Sequence, residues 1–411
     1  MSYERANTVA LFGLPIANVT MAEALVRIEE GIASGIGSGR THQIATANLD
    51  FARNSLRDTE LQAVICDCSM VLPDGAPMLW ASRLFGRPLR ERVTGVDLIP
   101  ELAKLSAQRG YGIFLLGSTD KNTEGAALIL ARRHPGVRIV GRYSPPISEL
   151  HAMDDAEILE RIGLAAPDIL LVAFGNPKQE IWIHRNRARL NVSIAIGIGG
   201  ALEMIAGSLK RAPRWVQHLQ MEWLFRMAQE PWRLLPRYVN DAVALLRHLP
   251  MVLAVSRMQP METAPGRLRV SLQGSVGGEF RIVATPSTLT GEHCAALVRE
   301  ANGAAEAAQT FIVDMSATTR VEADGLGCLL QARRVTLAAG GWIWLAGMSN
   351  PVRRVLQYSA MSDLFRLAMS TAEAIDFTSG DSSEVGWSTR PMPRPQKVQH
   401  APRAAADVVK V

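Results

Sequence analysis

The sequence predicts an α/β protein: a mostly parallel sheet, then a basic helical appendage, then a smaller second α/β domain. Three observations carry this. Short apolar runs alternate with helical patterns from residue 9 to about residue 207. Several of those runs end in Gly, Asn or Asp immediately before a helix start. Beyond residue 212, stretches rich in Trp, Leu and Arg follow with no strand between them, and a new alternation begins near residue 267.

Residues 9–16 read as one short strand with a glycine break, and Thr20 caps a helix to about residue 32. A Gly/Ser loop leads to a strand at 42–45 that ends in Thr46-Ala47-Asn48, followed by an α segment over 50–64. The run at 70–77, M-V-L-P-D-G-A-P, is an apolar strand entering a turn, with Asp74 at the N-cap of a helix over 78–85. A basic loop (87–95) precedes a helix at 96–108, and a strand at 112–116 opens on Gly117-Ser118-Thr119 before a helix to residue 134. Strand 137–143 and helix 154–165 come next. Residues 169–173, apolar and bounded by Pro and Gly, suit a strand buried on both faces. Gly175-Asn176-Pro177 then starts a helix with Lys178, Gln179, Glu180 and Trp182 in its first turns. Residues 192–198 repeat the pattern, with Gly197, Gly199 and Gly200 ahead of another helix. In a parallel sheet these ends share one edge, where ligands bind and helix N-termini favour anions.

The expected organisation is a first domain over 1–249, its appendage at 210–249, a linker at 250–266, a second domain at 267–377 and a disordered tail at 378–411. The second domain reads as strands 268–272 and 279–284, a helix to about 301, strand 311–315, helix 325–338, strand 342–346 and helix 351–359. The linker and the separate apolar pattern after it imply independent cores.

Composition narrows the class. The 411 residues are 48% hydrophobic and 20% charged, as in a globular protein of two or three domains. No apolar run reaches the roughly 18–20 residues of a membrane span, and the N-terminus is not a signal peptide, so a cytoplasmic protein is expected. Four cysteines, two in Cys66-Asp67-Cys68, fit neither a disulfide framework nor a zinc pattern and read as buried thiols. The net charge of +5 is clustered: residues 210–247 hold seven Lys/Arg against three Asp/Glu. There Arg214, Arg226, Arg233 and Arg237 are interleaved with Trp215, Trp223, Trp232 and Tyr238. That pattern suits an anionic membrane surface. Nucleic acid is not expected, because the patch is short and the rest of the chain is close to neutral.

Asp74 is the candidate catalytic base. An Asp-Gly at a helix start is by itself a cap, but Thr46, Asn48, Gly117–Thr119 and Lys178–Glu180 end neighbouring strands on the same edge and outline a cleft. Arg92, in a compact R-V-T-G, can present a guanidinium to a phosphate. His42 and His184 have no Ser or Cys partner legible in the sequence, and no D-x-D or ligand-spaced cluster occurs, so no metal and no cofactor are expected.

These stretches together resemble the WecG/TagA/CpsF glycosyltransferases (glycosyltransferase family 26), a Rossmann-like α/β family. The resemblance covers roughly residues 9–247. It rests on T-A-N at 46–48, P-D-G at 73–75, E-R-V-T-G-V-D at 91–97 and F-L-L-G at 114–117. It continues in G-N-P-K-Q-E-I-W at 175–182, G-I-G-G-A-L-E at 197–203, R-A-P-R-W at 211–215 and E-W-L-F-R…E-P-W-R…R-Y at 222–238. The resemblance implies an inverting, metal-independent transferase. It would move a hexosyl, N-acetylhexosaminyl or related uronic sugar from a UDP-sugar to a prenyl-diphosphate-linked saccharide, in bacterial surface polysaccharide synthesis. It implies Asp74 as base, Thr46, Asn48 and Arg92 around it, and Gln179 and Glu203 on the nucleotide side, Glu203 standing where the family often has Asp. It also implies that Arg214, Arg226, Arg233 and Arg237 meet the acceptor diphosphate on the inner face of the plasma membrane.

The second domain is similar to a STAS domain of the anti-sigma-factor-antagonist type. The matching residues are F-I-V-D-M-S at 311–316, G-L-G-C-L-L at 325–330, G-G-W-I-W-L-A-G at 340–347 and P-V-R-R-V-L at 351–356. Switching members carry a phosphorylatable D-S-S-G, whereas this chain has Glu322-Ala323-Asp324-Gly325. The resemblance therefore implies a constitutive docking module with a protein partner. A homo-oligomer is left open. The alternative reading is a non-catalytic nucleotide sensor that signals through the STAS-like half.

Overall fold

The computed structural model of the chain describes residues 8–35, 41–84, 86–213, 215–216, 221–229, 266–275, 278–359 and 361–379, with single or paired positions between 231 and 243. Arg214, Arg233, Arg237, nearly all of the expected linker and the expected tail from residue 380 lie outside the described residues.

The chain opens with a hairpin, β1 (Thr8–Leu11) antiparallel to β2 (Leu14–Ala17), where one strand was expected. The glycine is a turn, not a break: Phe12 and Gly13 take φ of 53° and 75°, as a two-residue hairpin loop demands. Helix α1 (Met21–Gly35) leads to β3 (His42–Ala47). The α segment expected as one is two helices, α2 (Leu49–Ser55) and α3 (Thr59–Cys66), because Asp58 accepts from the Leu61 N–H at 3.0 Å and caps a new start. Next come β4 (Met70–Pro73), α4 (Ala76–Leu84), α5 (Gly95–Arg109), β5 (Gly112–Gly117), α6 (Asp120–Arg133) and β6 (Arg138–Tyr143). They are followed by α7 (Asp155–Ala165), β7 (Ile169–Ala173), α8 (Lys178–Asn186), β8 (Ile194–Gly197) and the short α9 (Ala201–Ile205).

Strands β3–β8 form one six-stranded sheet in the order β4-β3-β8-β7-β5-β6, every pair parallel. Side chains alternate between two buried faces: Leu115, Leu171 and Ile196 pack with α1 and α5, while Leu116, Leu170 and Val172 pack with α7 and α8. All carboxyl ends therefore fall on one edge. Helix α10 (Glu222–Gln229) follows in the appendage.

The C-terminal part builds a second sheet from β9 (Arg269–Ser275), β10 (Gly278–Ala284), β12 (Thr310–Asp314), β14 (Ile343–Ala346) and β15 (Arg366–Ala368), in the order β15-β14-β12-β10-β9. Only β9–β10 is antiparallel. A short parallel pair, β11 (Thr288–Leu289) with β13 (Arg320–Val321), stands beside it. Helices α11 (Cys294–Glu306), α12 (Ala323–Ala338), α13 (Asn350–Tyr358) and α14 (Thr371–Ser379) complete this part.

Each part keeps clusters of its own, and the two meet across the hairpin. Alternation along β1 sends Val9 and Leu11 into the cluster beside β3 and β4, and Ala10 into a cluster with Leu297, Leu329 and Leu330 of α11 and α12. Cys66 of α3 joins Ala10 there. Helix α12 lies so close to β1 that a Cβ on Gly327 would stand 2.2 Å from the Thr8 carbonyl oxygen. Gln331 donates to the Thr8 hydroxyl, and buried Arg333 pairs with Asp67 at 2.9 Å. This contact is not legible in the sequence because the hairpin, too short to register as two strands, is apolar on both faces. All four cysteines are free and buried, as their spacing predicts.

Candidate active site

The sheet's carboxyl edge opens into a cleft of about 490 Å³. Thr46, Asn48, Asp74, Arg92, Gln179, Glu203 and Arg226, from six separate points of the chain, all line it. Arg87, Arg90 and Lys178 do not. Arg90 pairs with Glu23 at 2.7 Å, Arg87 faces the C-terminal part, and the Lys178 ammonium donates to the Ser148 carbonyl.

Asp74 follows β4, its N–H donating to the Ala47 carbonyl at 2.8 Å so that the ends of β3 and β4 are fixed to each other. Burial pushes its carboxyl up to about 6, against the pull of Arg226 and Arg92 and with help from Glu222 and Asp97. The partly desolvated carboxylate is thus more basic than a surface aspartate. Thr46 donates to the Gly197 carbonyl at 3.0 Å and ties β3 to β8. The Asn48 Oδ1 accepts the N–H groups of Asp50 and Phe51 at 3.0 and 3.2 Å, capping α2, so its amide Nδ2 is the group it can offer a ligand.

Gln179 lines the cleft with its side chain engaged within the protein. Its Oε1 accepts the N–H groups of both Gly175 and Gly199, at 3.1 and 3.0 Å, lashing the loops after β7 and β8 together. Those two backbone donors of the glycine-rich ends, expected to be open to an anion, are already held. The Gln179 Nε2 donates in turn to Glu180 at 2.7 Å, and Glu180 also accepts from Asn176 at 3.0 Å. Burial raises the Glu180 carboxyl to about 8, although those two hydrogen bonds pull it down. Glu203 sits in the first turn of α9, accepting from the Ser118 hydroxyl at 3.5 Å.

A charge network the sequence did not announce holds the appendage at the cleft. Arg92 donates to Glu222 at 2.9 Å, and Arg211 pairs with Asp97 at 2.7 Å and with Glu222 at 3.2 Å. Asp97, held by the Thr94 hydroxyl at 2.8 Å, and Glu222 thereby tie α10 to the cleft, which Arg226 lines and where its charge lowers the Asp74 carboxyl. Alternation of acid and base between positions 92, 97, 211 and 222 was the available signal, but no local period links them. Among the described residues, no group of three or more His, Cys, Asp or Glu comes together as a metal-holding set. No described helix is long and apolar enough to cross a membrane.

Comparison with known proteins bears on the whole chain. Residues 273–374 match the STAS domain, and the solved structure of the anti-sigma factor antagonist SpoIIAA in its unphosphorylated form is 21% identical, covering 27% of this chain and 99% of that one at a TM-score of 0.23. Two relatives are named N-acetylglucosaminyldiphosphoundecaprenol N-acetyl-beta-D-mannosaminyltransferase. That of Bacillus spizizenii is 30% identical over 50% of this chain and 79% of its own length. That of Staphylococcus aureus is 30% identical over 57% of this chain and 90% of its own length. Residues 9–259 match the glycosyl transferase WecG/TagA/CpsF family, and with its motifs lining one cleft the chain belongs to that family, with a STAS domain at its C-terminal side.

Proposed function

We propose that the protein is an inverting transferase that moves a sugar from a UDP-sugar to a hydroxyl of a prenyl-diphosphate-linked saccharide, without a metal, in surface polysaccharide synthesis. The observation that carries this is the Asp74 carboxylate, raised in basicity, in a cleft that Arg226 and Arg92 also line. Inversion needs one in-line displacement. Asp74 takes the acceptor hydroxyl's proton as that oxygen attacks the anomeric carbon, and UDP leaves from the opposite face. The growing charge on UDP is met by the guanidinium groups of Arg92 and Arg226. The names of the relatives favour an N-acetylhexosamine as the sugar moved and an N-acetylglucosaminyl diphosphate lipid as its acceptor. UDP and UDP-sugars should protect the protein against thermal unfolding, because a ligand of the native state stabilises it by mass action. Absence of protection across a panel of UDP-sugars would contradict the donor class.

The pH dependence follows from Asp74. The base must be unprotonated, so kcat/KM should fall as pH drops through about 6. Arg226 is the strongest of the charges holding that value down, so Arg226→Ala should move the acid limb to higher pH. An acid limb near the ordinary aspartate value in both proteins would assign the proton transfer elsewhere.

The same reading has the appendage dock on the inner face of the plasma membrane, where a lipid-linked acceptor presents its diphosphate. Trp215 and Trp232 support it, being 65% and 94% exposed and next to Arg214 and Arg233 in the sequence. Each arginine near anionic lipid contributes about 1 kcal/mol, so Arg226→Glu, Arg233→Glu and Arg237→Glu together should abolish pelleting with anionic vesicles. Wild-type pelleting of that triple variant would make these helices ordinary packing elements.

A further inference from the structure

The STAS domain contributes no residue to the cleft among those described, so it neither plugs the site nor completes it. What it touches is the connection that carries Arg92. Helix α12 begins with Glu322, Ala323 and Asp324, its N-cap and first two residues. Glu322 is ion-paired with Arg87, and Asp324 stands 3.5 Å from the same guanidinium. Ala323 packs against the cluster that buries Leu89 together with Val9 and Leu11 of the hairpin.

From Arg87 the chain has a short, fully tethered course to the site. The Leu89 N–H donates to the Ser82 hydroxyl at 2.9 Å, at the end of the helix that starts behind Asp74. The Arg90 N–H donates to Asn18 at 2.8 Å, just past the hairpin. The Val93 N–H donates to the Pro73 carbonyl at 3.0 Å, which sets Arg92 beside the end of β4 and one residue from Asp74. Arg87 and Leu89 are thus the outer anchors of a segment whose inner end is Arg92.

The outer anchor is also held from behind. The Arg333–Asp67 pair, the Arg334 donation to the Ser69 carbonyl at 3.3 Å and the close approach at Gly327 fix the remaining turns of α12 on the hairpin and on the α3–β4 turn. Asp67 and Ser69 lie immediately before β4, so one helix grips both the entry to the strand that ends in Asp74 and the segment that ends in Arg92. A guanidinium that stabilises charge in a transition state acts only if it is held in place beforehand.

We infer that the STAS domain is a brace for the transferase site: the acidic start of α12, clamped on Arg87, fixes residues 86–94 and so holds Arg92 in its catalytic position. Arg87, Glu322 and Asp324 are positioning residues that act through that segment. Arg87 is partly exposed, so the clamp supplies a modest bias and not the stability of the fold.

This rests on the transferase reading for its kinetic arm, and on the geometry alone for its exchange arm. Arg87→Glu sets a carboxylate against two others. It should raise amide hydrogen exchange over residues 86–94 and lower kcat roughly 3–10-fold, with a smaller loss of UDP affinity. Adding Glu322→Gln and Asp324→Asn removes the repulsion and should return exchange and kcat most of the way. Exchange over 86–94 that stays at the wild-type level in Arg87→Glu overturns the brace. So does raised exchange with a wild-type kcat, and so does a kcat loss that the added neutral substitutions do not relieve. A protein that turns over no UDP-sugar would overturn the functional reading instead, and the exchange arm would still judge the clamp.

Discussion

Asp74→Asn is expected to abolish glycosyl transfer while leaving UDP binding nearly intact. The amide keeps the size and polarity of the side chain but cannot accept the acceptor's proton, and loss of a general base costs about 10²–10⁴-fold in rate. A second readout separates this from mere damage. Burial raises the Asp74 carboxyl from 3.8 to about 6, so keeping it ionised at neutral pH opposes folding. The shift of about 2 units amounts to roughly 2–3 kcal/mol, absent below pH 4, growing between about pH 4 and 6 and full above pH 6. Asp74→Asn should therefore be more stable than the wild type at pH 7.5 and no different at pH 3.5. An inactive variant that is also less stable at pH 7.5 would have lost its fold, not its base.

The second large effect concerns the C-terminal half. Cutting the chain after residue 260 removes the partners of Ala10, Cys66, Thr8 and Asp67, and uncovers the outer face of the hairpin. Two small apolar groups and two polar contacts amount to roughly 3–5 kcal/mol. In a body of this size that lowers Tm by about 6–20 °C. The truncated transferase should accordingly melt well below the full chain and aggregate through the hairpin. Gly327→Ala should reproduce part of this in the full chain, because its Cβ has no room against the Thr8 carbonyl. A truncated protein as stable and soluble as the full chain would mean that the interface contributes nothing.

Much of the site was legible because parallel topology does the gathering. Once residues 42–47, 70–73, 169–173 and 194–197 are strands of one parallel sheet, Thr46, Asn48, Asp74 and Gln179 must share its carboxyl edge. Local pattern sufficed for that. It did not suffice for Gln179, whose bonds to Gly175 and Gly199 depend on two strands lying side by side. Nor did it reveal Glu222, which looks like one more charge on an amphipathic helix until Arg92 and Arg211 meet it across more than a hundred residues of chain in one case and eleven in the other.

The docking of the STAS domain was the least legible feature. Its polar partners, Asp67 with Arg333 and Arg87 with Glu322, are separated by more than two hundred residues, and neither pair carries a spacing rule. Gly327 reads in sequence as a weak helical position, and only the backbone of Thr8 explains it. The hairpin was missed for a related reason: four-residue strands with a Phe-Gly turn look like one interrupted strand.

The central claim is best tested by one measurement: incubating the full chain, in EDTA, with UDP-N-acetylhexosamines and an N-acetylglucosaminyl-diphosphoprenol acceptor, and following the lipid product by mass spectrometry and NMR. The account predicts a product one sugar longer, with the anomeric configuration inverted relative to the donor and one UDP released per sugar moved. A UDP-sugar that binds tightly and is never consumed with any lipid-linked acceptor would contradict it, and would leave a nucleotide sensor as the reading of this cleft.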